Sequence, residues 1–112
     1  MTANDLTRIT QRIATERGGR LFRNNTGRFR NPEGRWVQFG IPLHGGSDLI
    51  GWMPVARFTA VEIKAGRDQL TAEQRAWLDA VKAAGGIAGV VRTVEDAEVL
   101  LGTPAPSASS EP

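Results

Sequence analysis

The sequence predicts one α/β domain, in the order helix, strand, strand, strand, helix, strand, helix. Three observations predict it. Apolar residues recur at helical spacing in three segments, each opened by a threonine suited to capping, Thr2, Thr71 and Thr93. Stretches rich in β-branched and aromatic residues stand between them. One of these, Ile87-Ala88-Gly89-Val90-Val91-Arg92, is nearly all apolar, as a strand buried on both faces should be. At 112 residues the chain is a small domain whose core suffices only if most of the chain joins it.

The first helix spans residues 2–17. Thr2 and Asp5 form its capping pair, Leu6, Ile9 and Ile13 its apolar face, and Gly18-Gly19 its stop. Glu16 lies seven positions after Ile9, hence near that face, in a last turn where an acid opposes the helix dipole. Such a locally unfavourable choice marks either function or a salt bridge to Arg20. Arg20 to Asn24 alternates as a strand. Asn25-Thr26-Gly27 and Asn31-Pro32-Glu33-Gly34 are turn chemistry flanking a short basic loop, and Trp36-Val37-Gln38-Phe39 closes a hairpin with what precedes it.

Gly40 to Ser47 is a glycine-rich approach to Asp48. Leu49 to Met53 reads as a strand ended by Pro54, and a turn at Val55-Ala56 leads into the strand Arg57 to Gly66, its antiparallel partner. Thr71 opens the second helix, with Trp77, Leu78 and Val81 on its buried side and Gly85-Gly86 as its stop. After the apolar strand, Thr93 caps a last helix in which Val94, Ala97 and Leu101 share a face. From Gly102 to Pro112 the chain has nothing to bury, so residues 1–101 are expected as the domain and 102–112 as a disordered tail.

Cysteine is absent, which excludes disulfides, thiolate metal sites and a cysteine nucleophile. With one histidine, His44, a metal must be held mainly by oxygen, which suits magnesium or manganese. No apolar run opens the chain, so neither a signal peptide nor a membrane span is expected, and a cytoplasmic protein is the natural reading. The net charge of +2 is unevenly spread. Arg17, Arg20, Arg23, Arg28, Arg30 and Arg35 face a single acid between residues 17 and 35, Glu33. Phe22, Phe29 and Trp36 are interleaved with them, as on a surface that grips nucleic acid by phosphate contacts and base stacking.

Glu62 and Lys64, two apart in the central strand, point the same way, while Val61 and Ile63 point the other. A solvated strand edge gives the same pattern. If the hairpin pairs as expected, however, Asp48 and Glu62 converge with Lys64 beside them. Two carboxylates make an oxygen site for a hard divalent cation, which polarises a phosphoryl oxygen and activates a water. Lys64 would orient that water, take its proton or offset growing negative charge; the electrostatic role needs the fewest assumptions.

Gly46-Ser47-Asp48, Val61-Glu62-Ile63-Lys64 and Gln74-Arg75-Ala76-Trp77-Leu78 together resemble the PD-(D/E)XK nucleases. Within that superfamily the chain is most similar to the virus-type replication-repair nuclease domain, VRR-NUC, in its stand-alone form. The resemblance runs from the first helix to about Leu101, with Ser47 where the superfamily expects proline. It implies a restriction-endonuclease-like mixed sheet flanked by helices. Asp48 and Glu62 would bind the metal with the carbonyl of Ile63, Lys64 would be the catalytic lysine, and Gln74 would support them. Glu16 would correspond to an acid on the first helix, acting through water. The implied activity is magnesium- or manganese-dependent hydrolysis of DNA phosphodiesters by a dimer acting on branched DNA such as four-way junctions. That suits DNA repair in a bacterial or phage-infected cell.

Other readings remain open at this point. Gln74 is equally a capping-box residue for Thr71. Trp77 reads as core, and His44 as a loop residue near Asp48. A two-fold homodimer is expected because cutting both strands needs two active sites, with Ile41, Leu43, Trp52 and Met53 as interface candidates. The rival classes are a non-catalytic DNA-binding module using the arginine-rich segment 17–35, and an accessory protein that binds others through a strand edge.

Overall fold

The computed structural model describes residues 1–41 and 45–102. Helix α1 (Ala3–Glu16) is followed by β1 (Arg20–Arg23), β2 (Gly27–Arg30), β3 (Trp36–Phe39), β4 (Leu49–Met53) and β5 (Arg57–Ile63). Helix α2 (Ala72–Ala83), β6 (Ile87–Val91) and α3 (Val94–Leu100) complete the chain. Strands β1, β4, β5 and β6 form one mixed sheet in that order. β1 pairs with β4 and β4 with β5 antiparallel, while β5 and β6 run parallel, which demands a crossover that α2 supplies. The expected α/β class and the mixed sheet flanked by helices are both present.

The helices start where their caps put them. Thr2 and Asp5 form a reciprocal capping box on α1, Thr71 and Gln74 form another on α2, and the Thr93 side chain accepts from the Asp96 N–H on α3. Each box satisfies amide donors that the first helical turn would otherwise leave bare.

Strand alternation divides the core between the two faces of the sheet. Leu21, Leu49, Met53, Val61, Ile63, Ile87 and Val91 pack with Leu6, Ile13 and Ala14 of α1 and Ala97 of α3. Ala60 and Ala88 pack on the other face with Leu78 and Val81 of α2. Burying a large aliphatic side chain contributes about 1.5–3 kcal/mol, so the first cluster is the main cohesive element. Gly51 permits the β1–β4 pairing, since a Cβ there would stand 1.9 Å from the Arg20 carbonyl oxygen.

The structure departs from expectation at several points. The basic stretch expected as a loop is strand β2, paired with β3 in a separate two-stranded ribbon. Its aromatic residues give cross-strand partners that turn residues alone do not reveal. β5 ends at Ile63, before the expected Gly66. Met53, an interface candidate, is 3% exposed and belongs to the main core, because its strand parity matches that of Leu49. Glu16 is exposed at the end of α1 rather than turned towards the core. Pro42, Leu43 and His44, and the tail from residue 103 on, lie outside the described residues.

Candidate active site

Asp48 immediately precedes β4, and Glu62 is the last but one residue of β5. Leu49 pairs with Val61, so the next residue on each strand, Asp48 and Glu62, meets across the ladder. Asp48 is exposed, and its Oδ2 accepts a 2.8 Å hydrogen bond from the Ile63 N–H. In an extended strand the N–H and C=O of one residue point to the same side, so the Ile63 carbonyl also faces towards Asp48.

Glu62 is the most unusual side chain in the fold. It is 3% exposed, on the sheet face that α2 covers. Its Oε2 accepts from Gln74 Nε2 at 2.9 Å and lies 3.7 Å from Lys64 Nζ. Its Oε1 is buried and, among the described residues, has no hydrogen-bond partner. Burial pushes the carboxyl up to about 7, the charge of Asp48 adds to the rise, and Lys64 opposes it. Leaving a buried carboxylate oxygen unpaired is costly unless something absent from the bare chain accompanies it.

Gln74 resolves the ambiguity in its sequence by serving both purposes. Its Oε1 accepts from the Thr71 N–H at 2.9 Å as the cap, while its Nε2 donates to Glu62. Trp77 is similarly double. It packs against the α2-side core, edge-on to Phe58, and its indole Nε1 donates to Ser47 Oγ at 3.2 Å. Ser47, 1% exposed, donates in turn to the Leu49 carbonyl at 3.0 Å. These bonds brace the turn ahead of Asp48 where proline would have stiffened it.

A cleft of about 280 Å³ opens beside Asp48 and Ile63, lined also by Thr7, Arg23, Asn24 and Asn25. Arg23 donates to Asn4 Oδ1 in its wall. Asn24, read in the sequence only as the end of a strand, makes several of the bonds that shape this region. Its N–H donates to the Asp48 carbonyl at 2.8 Å, and its side chain bonds to Ile41 and Ser47.

Glu16 does not join this group. The first turn of α1 lines the cleft, and Glu16 lies twelve residues beyond Asn4, about 18 Å along the helix axis. The arginines divide too. Arg17 donates to the Glu98 carbonyl on α3, and Arg20 pairs with Trp52 at the far end of β4. Arg23 stands at the cleft, while Arg28 and Arg30 belong to the ribbon and Arg35 to its turn.

A divalent cation fits this donor set: two carboxylates from adjacent strands, one with a buried oxygen that has no hydrogen-bond partner among the described residues, and a backbone carbonyl aimed to the same side. Among the described residues no cluster of three or more histidines, cysteines or acids occurs, so water and substrate would complete the shell, the usual situation for magnesium. Among the same residues no helix is long and apolar enough to cross a membrane. The family model of the VRR-NUC domain matches residues 6–95. No curated protein matches the chain.

Proposed function

Because the chain belongs to the VRR-NUC domain family, nucleases of the PD-(D/E)XK superfamily that act on DNA, we propose that it hydrolyses DNA phosphodiesters with Asp48, Glu62 and Lys64 at its centre. The observation that carries this reading is the buried Oε1 of Glu62, without a hydrogen-bond partner among the described residues, in a carboxyl pushed up to about 7 beside Asp48 and Lys64. A non-catalytic DNA-binding module would have no use for that arrangement.

Asp48 and Glu62, with the Ile63 carbonyl, would hold magnesium or manganese. Once bound, the cation would neutralise the two acids, polarise the scissile phosphate and make water a better nucleophile near neutral pH. Lys64, held at 3.7 Å from Glu62 Oε2, keeps its ammonium where negative charge grows on the phosphorus oxygens. Gln74 fixes the Glu62 carboxylate by donating its amide to Oε2, and Oε1, without a hydrogen-bond partner among the described residues, would ligate the cation. Arg23 and the ribbon arginines supply phosphate contacts.

One copy has one such site, so a two-fold homodimer would make paired cuts in branched DNA such as a four-way junction. Exposed Trp52 and Ile41 remain candidates for its contact. The nuclease domain spans residues 1–101, working in the cytoplasm of a bacterial or phage-infected cell.

The test is incubation of plasmid, linear duplex and four-way junction DNA with magnesium or manganese, comparing wild type with Lys64→Ala and Asp48→Ala. Cleavage should require the metal, vanish with chelator and fall by roughly a hundredfold or more in either variant. Absence of metal-dependent cleavage by folded wild type on every substrate would end the proposal.

A further inference from the structure

The β2–β3 ribbon has two unlike faces. By alternation and register, Arg28, Arg30, Trp36 and Gln38 share one face, while Phe29, Val37 and Phe39 share the other. The guanidinium carbons of Arg28 and Arg30 lie 4.7 and 5.3 Å from the Trp36 ring centroid, so one indole contacts both forks. The apolar face partly closes on itself. The Phe29 and Phe39 rings are 6.3 Å apart, and Phe39 covers Gly27, where a Cβ would meet the ring at 2.8 Å. Among the described residues neither a helix nor the main sheet makes extensive contact with the ribbon.

The ribbon is nevertheless tied to the active site through one residue. Asn24 stands at its root before β2, and Ile41 follows β3. Asn24 Oδ1 accepts from the Ile41 N–H at 3.0 Å, and Nδ2 donates to the carbonyls of Ile41 and Ser47, the latter at 3.0 Å. The Asn24 N–H donates to the Asp48 carbonyl at 2.8 Å. An isolated two-stranded hairpin is marginal in water; ring contacts within the ribbon hold its strands together, and the Asn24 bonds set its direction.

We infer that this ribbon docks in the major groove of duplex DNA through its Arg28–Trp36–Arg30 face, with Asn24 as the positioning residue that fixes its distance from Asp48. The inference rests on the DNA-cleaving reading above. The major groove admits a two-stranded β-ribbon, and an arginine fork matches O6 and N7 of guanine as well as phosphate oxygens. Charge agrees: between residues 27 and 39 stand Arg28, Arg30 and Arg35 against Glu33. A duplex arm held this way presents a phosphate at a set offset from the groove contact, so the ribbon determines where the cut falls.

Dimethyl sulfate footprinting of guanine N7 on a duplex and on a four-way junction tests this, using Lys64→Ala protein so that binding is read without cleavage. N7 protection in one arm is expected. Combining Arg28→Gln with Arg30→Gln should abolish it and weaken binding roughly tenfold or more. Arg28→Lys with Arg30→Lys should fall between, since the charge stays and the fork goes. In otherwise wild-type protein, Asn24→Ala should keep affinity within about threefold while the cut spreads over neighbouring phosphates, a change that lost stability alone would not give.

Unchanged N7 protection and affinity in the folded double glutamine variant would overturn the inference. So would loss of binding accompanied by a fall in mass by light scattering, which would assign the face to a second copy. A cut that stays sharp in Asn24→Ala would remove Asn24 from the account. Groove protection without any cleavage by wild type would refute the nuclease reading alone, and cleavage without groove protection would refute the ribbon alone.

Discussion

Replacing Glu62 with glutamine removes a charge that the fold buries, and it should stabilise the metal-free domain. The Glu62 carboxyl moves from an ordinary 4.5 to about 7, a rise of roughly 2.5 units, at about 1.4 kcal/mol each. The side chain is 4% exposed, so solvent screening discounts little and the full effect approaches about 3 kcal/mol. Below pH 4.5 the group is protonated in folded and unfolded chains alike and costs nothing. As pH rises the unfolded chain releases its proton first, and stability falls until Glu62 itself ionises near 7. Glutamine keeps an acceptor oxygen for Gln74 and has no proton to lose.

Thermal unfolding followed by circular dichroism, in chelator, should therefore show wild type and Glu62→Gln melting together near pH 4.5. The variant should be the more stable by up to about 3 kcal/mol at pH 8, or roughly 10 °C in Tm. Millimolar magnesium at pH 8 should raise the Tm of wild type and raise that of the variant much less, because one of the two carboxylates that would hold the cation is gone. A gap that does not widen between pH 5 and 8, or a variant less stable than wild type at pH 8, would refute the assignment of Glu62 as an uncompensated buried acid.

Gln74→Ala loses both the cap on α2 and the bond to Glu62, and should cost about 1–2 kcal/mol by denaturant titration together with most cleavage activity. Gln74→Glu keeps a capping acceptor but sets a second acid against Glu62, so at pH 8 it should cost at least as much stability as alanine and also lose activity in a plasmid nicking assay. Gly51→Ala should destabilise by more than about 2 kcal/mol, measured in urea, since its Cβ would stand 1.9 Å from the Arg20 carbonyl oxygen and force β1 from β4.

Most elements were legible because their signals are local. Three threonine caps, the glycine stops and the apolar run from Ile87 to Val91 fix helices and strands within a few residues, and the hairpin turn at Val55-Ala56 makes β4 and β5 neighbours. The ribbon was half legible: Trp36 to Phe39 reads as a strand, but Gly27 to Arg30 does not until Phe39 is seen to lie over Gly27. Asn24 was not legible, since an asparagine beside a turn gives no sign that its amide joins Ile41 to Ser47.

The sequence by itself determined which residues could do chemistry: acids at 48 and 62, an amine at 64, and no cysteine to compete. Alternation in β5 also determined that Glu62 and Lys64 share a face. Only the tertiary structure decided which candidates meet, because the direction of α1 past the sheet, not the register within it, leaves Glu16 about 18 Å along the axis from the cleft. It also decided that Glu62 is buried with one oxygen unmatched among the described residues. Desolvation comes from everything packed around a group, and no stretch of sequence contains its own surroundings.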